Sequence, residues 1–159
     1  MRLRVNHLDD TLKLGRAIGA MCAVGDVVAL DGELGAGKTQ LVRGLAEGLG
    51  LDPRQVSSPT FVFMQEYLPA STQGDSPVLV HMDAYRLEGA EDLATLGWDD
   101  GLLDGAVLAV EWAERIADHL GPDRLQVTLE HAGDSARQVE IEAAGTWVGR
   151  MPALEAKLT

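Results

Sequence analysis

Eight consecutive residues, Gly32-Glu33-Leu34-Gly35-Ala36-Gly37-Lys38-Thr39, fill every fixed place of the pattern G-x-x-x-x-G-K-[ST]. No other segment constrains the fold as much, because the pattern works only as a tight turn between a buried strand and a helix. Its glycines let the backbone curl so that successive N–H groups converge on a polyphosphate. Lys38 is placed to reach the β- and γ-phosphates, and the Thr39 hydroxyl to bind Mg²⁺. A helix starting inside the motif adds its own unpaired N–H groups and positive end. Both flanks are present. Asp26-Val27-Val28-Ala29-Leu30-Asp31 is a short apolar run bounded by Gly25 and Gly32, as in a buried strand. Leu41, Leu45 and Leu49 recur every fourth residue after Thr39, with Val42 and Ala46 beside them, and predict an amphipathic helix with Gly50 as its stop. A glycine-rich turn with an exposed lysine, the plain alternative, explains neither flank.

The other segments predict further strands and helices. Residues 8–22 predict a helix, with Leu8, Leu12, Leu14, Ile18, Met21 and Cys22 on its apolar face and Asp9 or Asp10 as cap. Val56 to Tyr67 predicts a loop and then a strand, with Pro59 confined to the loop. Leu68 to Pro77 is a polar surface connection. Val78 to Met82 and Ala106 to Val110 are buried-strand runs ending at Asp83 and Glu111. Gly89 to Leu96 and Ala113 to Leu120 are helix candidates, the second closed by Gly121-Pro122. Leu125 to Glu130 and Gln138 to Glu142 alternate apolar and polar residues around a turn, a hairpin pattern. The tail, Val148 to Leu158, is a last helix candidate. Buried strands alternating with helices predict a three-layer α/β fold. Its sheet is expected to be mostly parallel, covered on both faces, with a C-terminal antiparallel hairpin.

At 159 residues the expectation is one domain over 1–159, burying roughly two-thirds of its unfolded surface. No apolar run approaches membrane-spanning length. The N-terminus lacks the apolar core of a signal peptide, and Cys22 stands alone, so a reducing cytoplasm is the expected address. The net charge is −12, and three lysines and ten arginines are dispersed. Direct nucleic-acid binding needs clustered cations to displace counterions, so any RNA is expected to enter through a partner.

Ligands of open α/β sheets bind beyond the carboxyl ends of the strands, where Asp83 and Glu111 fall. A phosphate-loop enzyme needs one acid to hold Mg²⁺ and a group to orient the attacking water or hydroxyl. Both residues suit both roles, and spacing does not divide them. In Ser57-Ser58-Pro59-Thr60, a threonine could swing onto Mg²⁺ or the γ-phosphate, or the segment could be a plain turn before a strand. Trp112 either lines the pocket or packs beside the strand end. His81, inside an apolar run, reads as a core histidine. No Cys/His set has zinc spacing, and no serine sits in a nucleophile elbow.

The ordered series G-E-L-G-A-G-K-T, S-P-T-F (Ser58 to Phe61), H-M-D-A-Y-R-L (His81 to Leu87) and E-W (Glu111-Trp112) resembles the TsaE (YjeE) family over roughly residues 8 to 142. These are small bacterial P-loop ATPases of tRNA threonylcarbamoyladenosine synthesis. The resemblance implies a P-loop NTPase-like fold binding ATP and Mg²⁺. It implies ATP contacts from Glu33, Leu34, Gly35, Ala36, Gly37, Lys38, Thr39 and Gln40, with Thr60, Trp112, Thr11 and Arg137 added. Thr39, Glu111 and Asp83 are the implied metal contacts; Lys38, Asp83 and Glu111 are the implied catalytic set. The chain departs at Glu33, where the family commonly has Asp, at Ala84, where it has a larger apolar residue, and at Ala113, where proline often follows E-W.

By resemblance the activity is a slow ATPase stimulated by TsaB- and TsaD-type partners, resetting their machinery between turnovers. On the residues alone a small-molecule kinase is the runner-up, although its usual arginine-rich lid has no counterpart in this sequence. A nucleotide-binding module that never turns over is the third reading.

Overall fold

Two apolar layers explain why the strand runs lack an alternating polar face. In β2 (Val27–Gly32), Val28 and Leu30 enter one core, while Val27 and Ala29 enter another. The same division separates Val107 and Ala109 from Ala106, Leu108 and Val110 in β5 (Ala106–Glu111), as a side-chain period of two requires. The computed structural model describes residues 1–70, 76–98 and 104–158. The connection Leu68 to Pro77 therefore lies partly outside the described residues.

The remaining elements, in chain order, are β1 (Arg2–Val5), α1 (Leu8–Gly19), α2 (Lys38–Gly48), β3 (Met64–Tyr67), β4 (Val78–Asp83), α3 (Ala90–Thr95), β6 (Leu125–His131), β7 (Arg137–Ala143) and α4 (Met151–Leu158). Short 3₁₀ segments occupy Pro53–Gln55, Ala113–His119 and Gly145–Arg150. The strands form one sheet in the order β1-β7-β6-β2-β5-β4-β3. Residues of α1, α2 and α4 cover one face, and residues of α3 and the 113–119 segment cover part of the other.

The sheet is mixed, which corrects the expectation of a mostly parallel one. The four central strands β6, β2, β5 and β4 run parallel, but β3–β4, β6–β7 and β1–β7 are antiparallel. The β3–β4 link is ten residues long, 68–77, too little chain for a parallel crossover. Strand β1 was not expected: Arg2-Leu3-Arg4-Val5 carried no predicted element, and in the structure these residues pair with β7. The helix expected over Ala113 to Leu120 is 3₁₀ with a kink at Ile116. The first helix ends at Gly19 instead of continuing to residue 22. Its N-cap residue is His7, and neither Asp9 nor Asp10 takes that place; Asp10, in the first turn, reaches back with its carboxylate to accept from the Asn6 and His7 amides, both at 3.1 Å.

Helices α1 and α2 meet backbone to backbone. A Cβ added at Gly15 would lie 2.1 Å from the Leu41 carbonyl oxygen, and one at Gly44 2.1 Å from that of Leu12. Gly19 and Gly48 are as close to Leu45 and Arg16, so each helix carries two glycines four residues apart on the contact face. This contact holds α2, and with it the phosphate loop, against the rest of the layer.

Candidate functional site

Strands β2, β4 and β5 end together, and the register pairs Asp83 with Glu111 and Leu30 with Glu111. The glycine loop leaves β2 at this edge and enters α2 through Gly37, whose φ of 109° suits glycine and strains other residues. No side chain caps α2, and no acidic residue occupies its first turn. The first amides and the positive helix end therefore face the loop cavity. That cavity holds about 350 Å³ and is lined by Gly35, Gly37, Lys38, Thr39, Thr60, Asp83, Glu111 and Trp112, among others.

Lys38 is only 5% exposed. Its Nζ donates to the Gly32 carbonyl at 2.5 Å and to the Glu33 carbonyl at 3.0 Å, and it lies 3.8 Å from the Trp112 ring centroid. Burial lowers the pKa of the ammonium from the usual lysine value, while Glu111, Glu114, Asp83 and Asp31 oppose that shift. Trp112 itself adopts a left-handed backbone at φ 58°, an uncommon state for a bulky residue, and its ring also packs on Tyr85 at 4.9 Å.

The hydroxyls and acids pair across the cavity. Thr39 Oγ1 donates to Glu111 Oε1 at 2.7 Å, and Thr60 Oγ1 donates to Asp83 Oδ2 at 2.8 Å. Asp83 Oδ1 also accepts from the Tyr85 amide at 2.9 Å. Among the described residues, no group of three or more His, Cys, Asp or Glu is arranged to hold a metal alone. A hydroxyl bonded to one carboxylate is instead the donor set by which phosphate-loop proteins hold Mg²⁺ together with phosphate oxygens.

The other candidate residues are distributed as follows. Leu34 and Gln40 line the cavity, and Leu34 is 87% exposed. Ala36 is buried beneath the loop. Glu33 contributes its carbonyl to Lys38, and its side chain is exposed. Thr11 is buried behind Gly37, its methyl 3.7 Å from where a Cβ there would sit. Arg137 reaches the loop from its outer side: Nε donates to the Ala36 carbonyl at 3.0 Å and Nη2 to that of Gly35 at 3.1 Å. Two residues were not read as site residues from the sequence. Tyr85 lines the cavity, and His81, fully buried, places Nε2 2.9 Å from Glu111 Oε1. The available signal was strand parity, since His81, Asp83 and Glu111 share one sheet face.

Beside the cavity, the Glu114 amide donates to Asp31 Oδ1 at 3.0 Å. Loss of hydration, reinforced by the Asp31 carboxyl, pushes the Glu114 carboxyl up to about 7. A carboxyl raised on folding stabilises the fold while it is protonated, and this contribution disappears as pH rises from about 4.5 to about 7. Glu114→Gln is therefore expected to match wild type in thermal midpoint at pH 4 and exceed it at pH 8. Because Glu114 is exposed, the gap should be screened to roughly 1–3 °C. Equal midpoints at pH 8, read by circular dichroism, would refute this.

Comparison with known proteins gives consistent relatives. The family model described as "Threonylcarbamoyl adenosine biosynthesis protein TsaE" matches residues 5–139. A protein of Streptomyces coelicolor named tRNA threonylcarbamoyladenosine biosynthesis protein TsaE is 46% identical over 129 residues, covering 80% of this chain and 84% of its own. The Bacillus subtilis protein of that name is 39% identical over 145 residues, covering 91% and 87%. The crystal structure of Bacillus subtilis YdiB superposes with a TM-score of 0.72 at 33% identity, covering 99% of this chain and 93% of that one.

Proposed function

The chain belongs to the TsaE family, and from that premise we propose that it serves tRNA threonylcarbamoyladenosine synthesis as an Mg²⁺-dependent ATPase of P-loop type. One observation carries the reading: Thr39 Oγ1, at the uncapped head of α2, donates to Glu111 Oε1 beside the buried Lys38 ammonium. The loop amides and Lys38 bind the triphosphate, and Thr39 and Glu111 hold the cation. When bound, Mg²⁺ neutralises charge on the phosphate oxygens.

Asp83 is fixed by two hydrogen bonds, from Thr60 and from the Tyr85 amide, and so presents a defined carboxylate for orienting water. Trp112 and Tyr85 shield the phosphate end of the cavity. Thr60 belongs to a loop whose next residues, Phe61 and Val62, are 81% and 60% exposed. A ligand drawing Thr60 away from Asp83 would move that apolar pair, giving partner proteins of TsaB and TsaD type a nucleotide-dependent surface. The cytoplasm is the corresponding address, with tRNA reached only through those partners. Among the described residues lining the cavity, Lys38 is the only cation, which gives a metabolite kinase no arginine clamp.

Titration calorimetry with Mg²⁺–ATP tests the reading. Wild type should release heat on binding. Glu111→Ala should bind Mg²⁺–ATP about tenfold or more weakly and, with partners present, hydrolyse it at least about a hundredfold more slowly. A folded wild-type chain that binds no Mg²⁺–nucleoside triphosphate would refute it.

A further inference from the structure

His81 is a polar ring inside an apolar strand, and the hydrogen bonding around it is lopsided. Its side chain is fully buried in β4, on the sheet face that carries Leu79 and Ala109 and opposite the one that carries Val80 and Met82. Nε2 meets Glu111 Oε1 at 2.9 Å, whereas Nδ1 is buried and has no hydrogen-bond partner among the described residues. A carboxylate only accepts, so Nε2 carries the proton in this bond. A buried ring nitrogen left unpaired works against stability, and such groups call for another explanation.

The surroundings supply one. His81 lies beside Ala109 in the β4–β5 register, and Asp83 lies beside Glu111. The small Ala109 side chain leaves room for the imidazole to lean along the sheet to Glu111, two residues further on the same face. Glu111 Oε1 thus accepts two hydrogen bonds at once, from His81 behind it and from Thr39 in front of it. Neither bond uses Oε2. A glutamate has three side-chain torsions to lose, and the two bonds pin its carboxylate to the hydroxyl at the head of α2.

Resting on the nucleotide reading above, we propose that His81 is a positioning residue that holds Glu111 in its cation-binding orientation, so that its Nε2–H sets the affinity for Mg²⁺ in the presence of a triphosphate. His81 touches neither phosphate nor cation; it acts through the carboxylate. Supporting hydrogen bonds of this kind typically govern metal affinity by about 10–100-fold.

Three variants test this: His81→Phe, which keeps a ring and removes the donor; His81→Gln, whose amide nitrogen reaches about as far as Nε2; and His81→Asn, whose amide falls short. Mg²⁺ is titrated calorimetrically into protein saturated with a non-hydrolysable ATP analogue. Analogue affinity is measured separately in chelator, with thermal midpoints alongside. His81→Phe and His81→Asn should bind Mg²⁺ about tenfold or more weakly while their metal-free analogue affinity stays within about twofold, and His81→Gln should recover most of the loss. Should the phenylalanine variant not fold, the glutamine–asparagine pair carries the same contrast. Wild-type Mg²⁺ affinity in the donor-less variants would overturn the proposal and leave the nucleotide reading standing. Equal losses with and without metal would overturn it as well, since a purely structural role predicts that pattern. A wild-type chain taking up no Mg²⁺ with the analogue would defeat both.

Discussion

Lys38→Ala is expected to lower partner-stimulated ATP hydrolysis by roughly a hundred- to a thousandfold, the range associated with removing one preorganised donor from a developing phosphoryl charge. The ammonium is held where that charge would lie, by two carbonyl oxygens and the face of Trp112. Little reorganisation is then left for the reaction, so most of its electrostatic effect appears in the rate. Burial makes the interaction stronger than it would be in water, because the surrounding medium screens less. The variant also leaves the Gly32 and Glu33 carbonyls without their partner, a cost of about 1–3 kcal/mol, so the thermal midpoint must be followed in parallel. Hydrolysis by folded Lys38→Ala at the wild-type rate would remove Lys38 from the site.

Gly44→Ala should destabilise the protein by about 2–4 kcal/mol, opposite in sign to the ordinary gain of about 1 kcal/mol for alanine over glycine inside a helix. The new methyl carbon would lie 2.1 Å from the Leu12 carbonyl oxygen, 2.9 Å from the Arg16 amide and 2.9 Å from the Leu12 carbonyl carbon. All three are backbone atoms of α1, so no rotamer change relieves the clash and the helices must separate. Separation opens voids around Leu14, Ile18, Leu41 and Leu45, all within 1% of complete burial. For a chain of this size the thermal midpoint should fall by roughly 5–15 °C. Because α2 carries Lys38 and Thr39 on its first turn, nucleotide affinity should fall as well. An unchanged or raised midpoint would show that the helix contact is looser than the structure has it.

The phosphate loop and its two flanks were legible because their determinants are local. Asp26–Asp31 shows as an apolar run and Leu41, Leu45 and Leu49 as a period of about four, and the structure has β2 and α2 there. The hairpin β6–β7 showed in the same way, by strict alternation. Asp83 and Glu111 could be placed at strand ends since each closes a long apolar run. Strand β1 escaped notice because its pairing partner, β7, lies more than 130 residues away, as the Arg2–Glu140 bond across it shows. His81 read as a core histidine, and it is fully buried, but its bond to Glu111 was not legible, because a histidine in an apolar run looks the same whether or not a carboxylate waits beside it.

Sequence alone determined that a strand, a glycine turn and a helix follow one another at residues 26–49, since chain order and side-chain period settle that arrangement within some two dozen residues. Tertiary structure decided what faces the turn. Glu111 lies 72 residues from Thr39 and 30 from His81, and Arg137 lies 101 from Ala36, yet each pair is hydrogen-bonded. Those meetings depend on strand order, on a register in which a one-residue slip would turn Glu111 to the opposite face, and on the glycine contact that seats α2. Each is a balance of pairings between distant segments, which no single stretch of chain encodes.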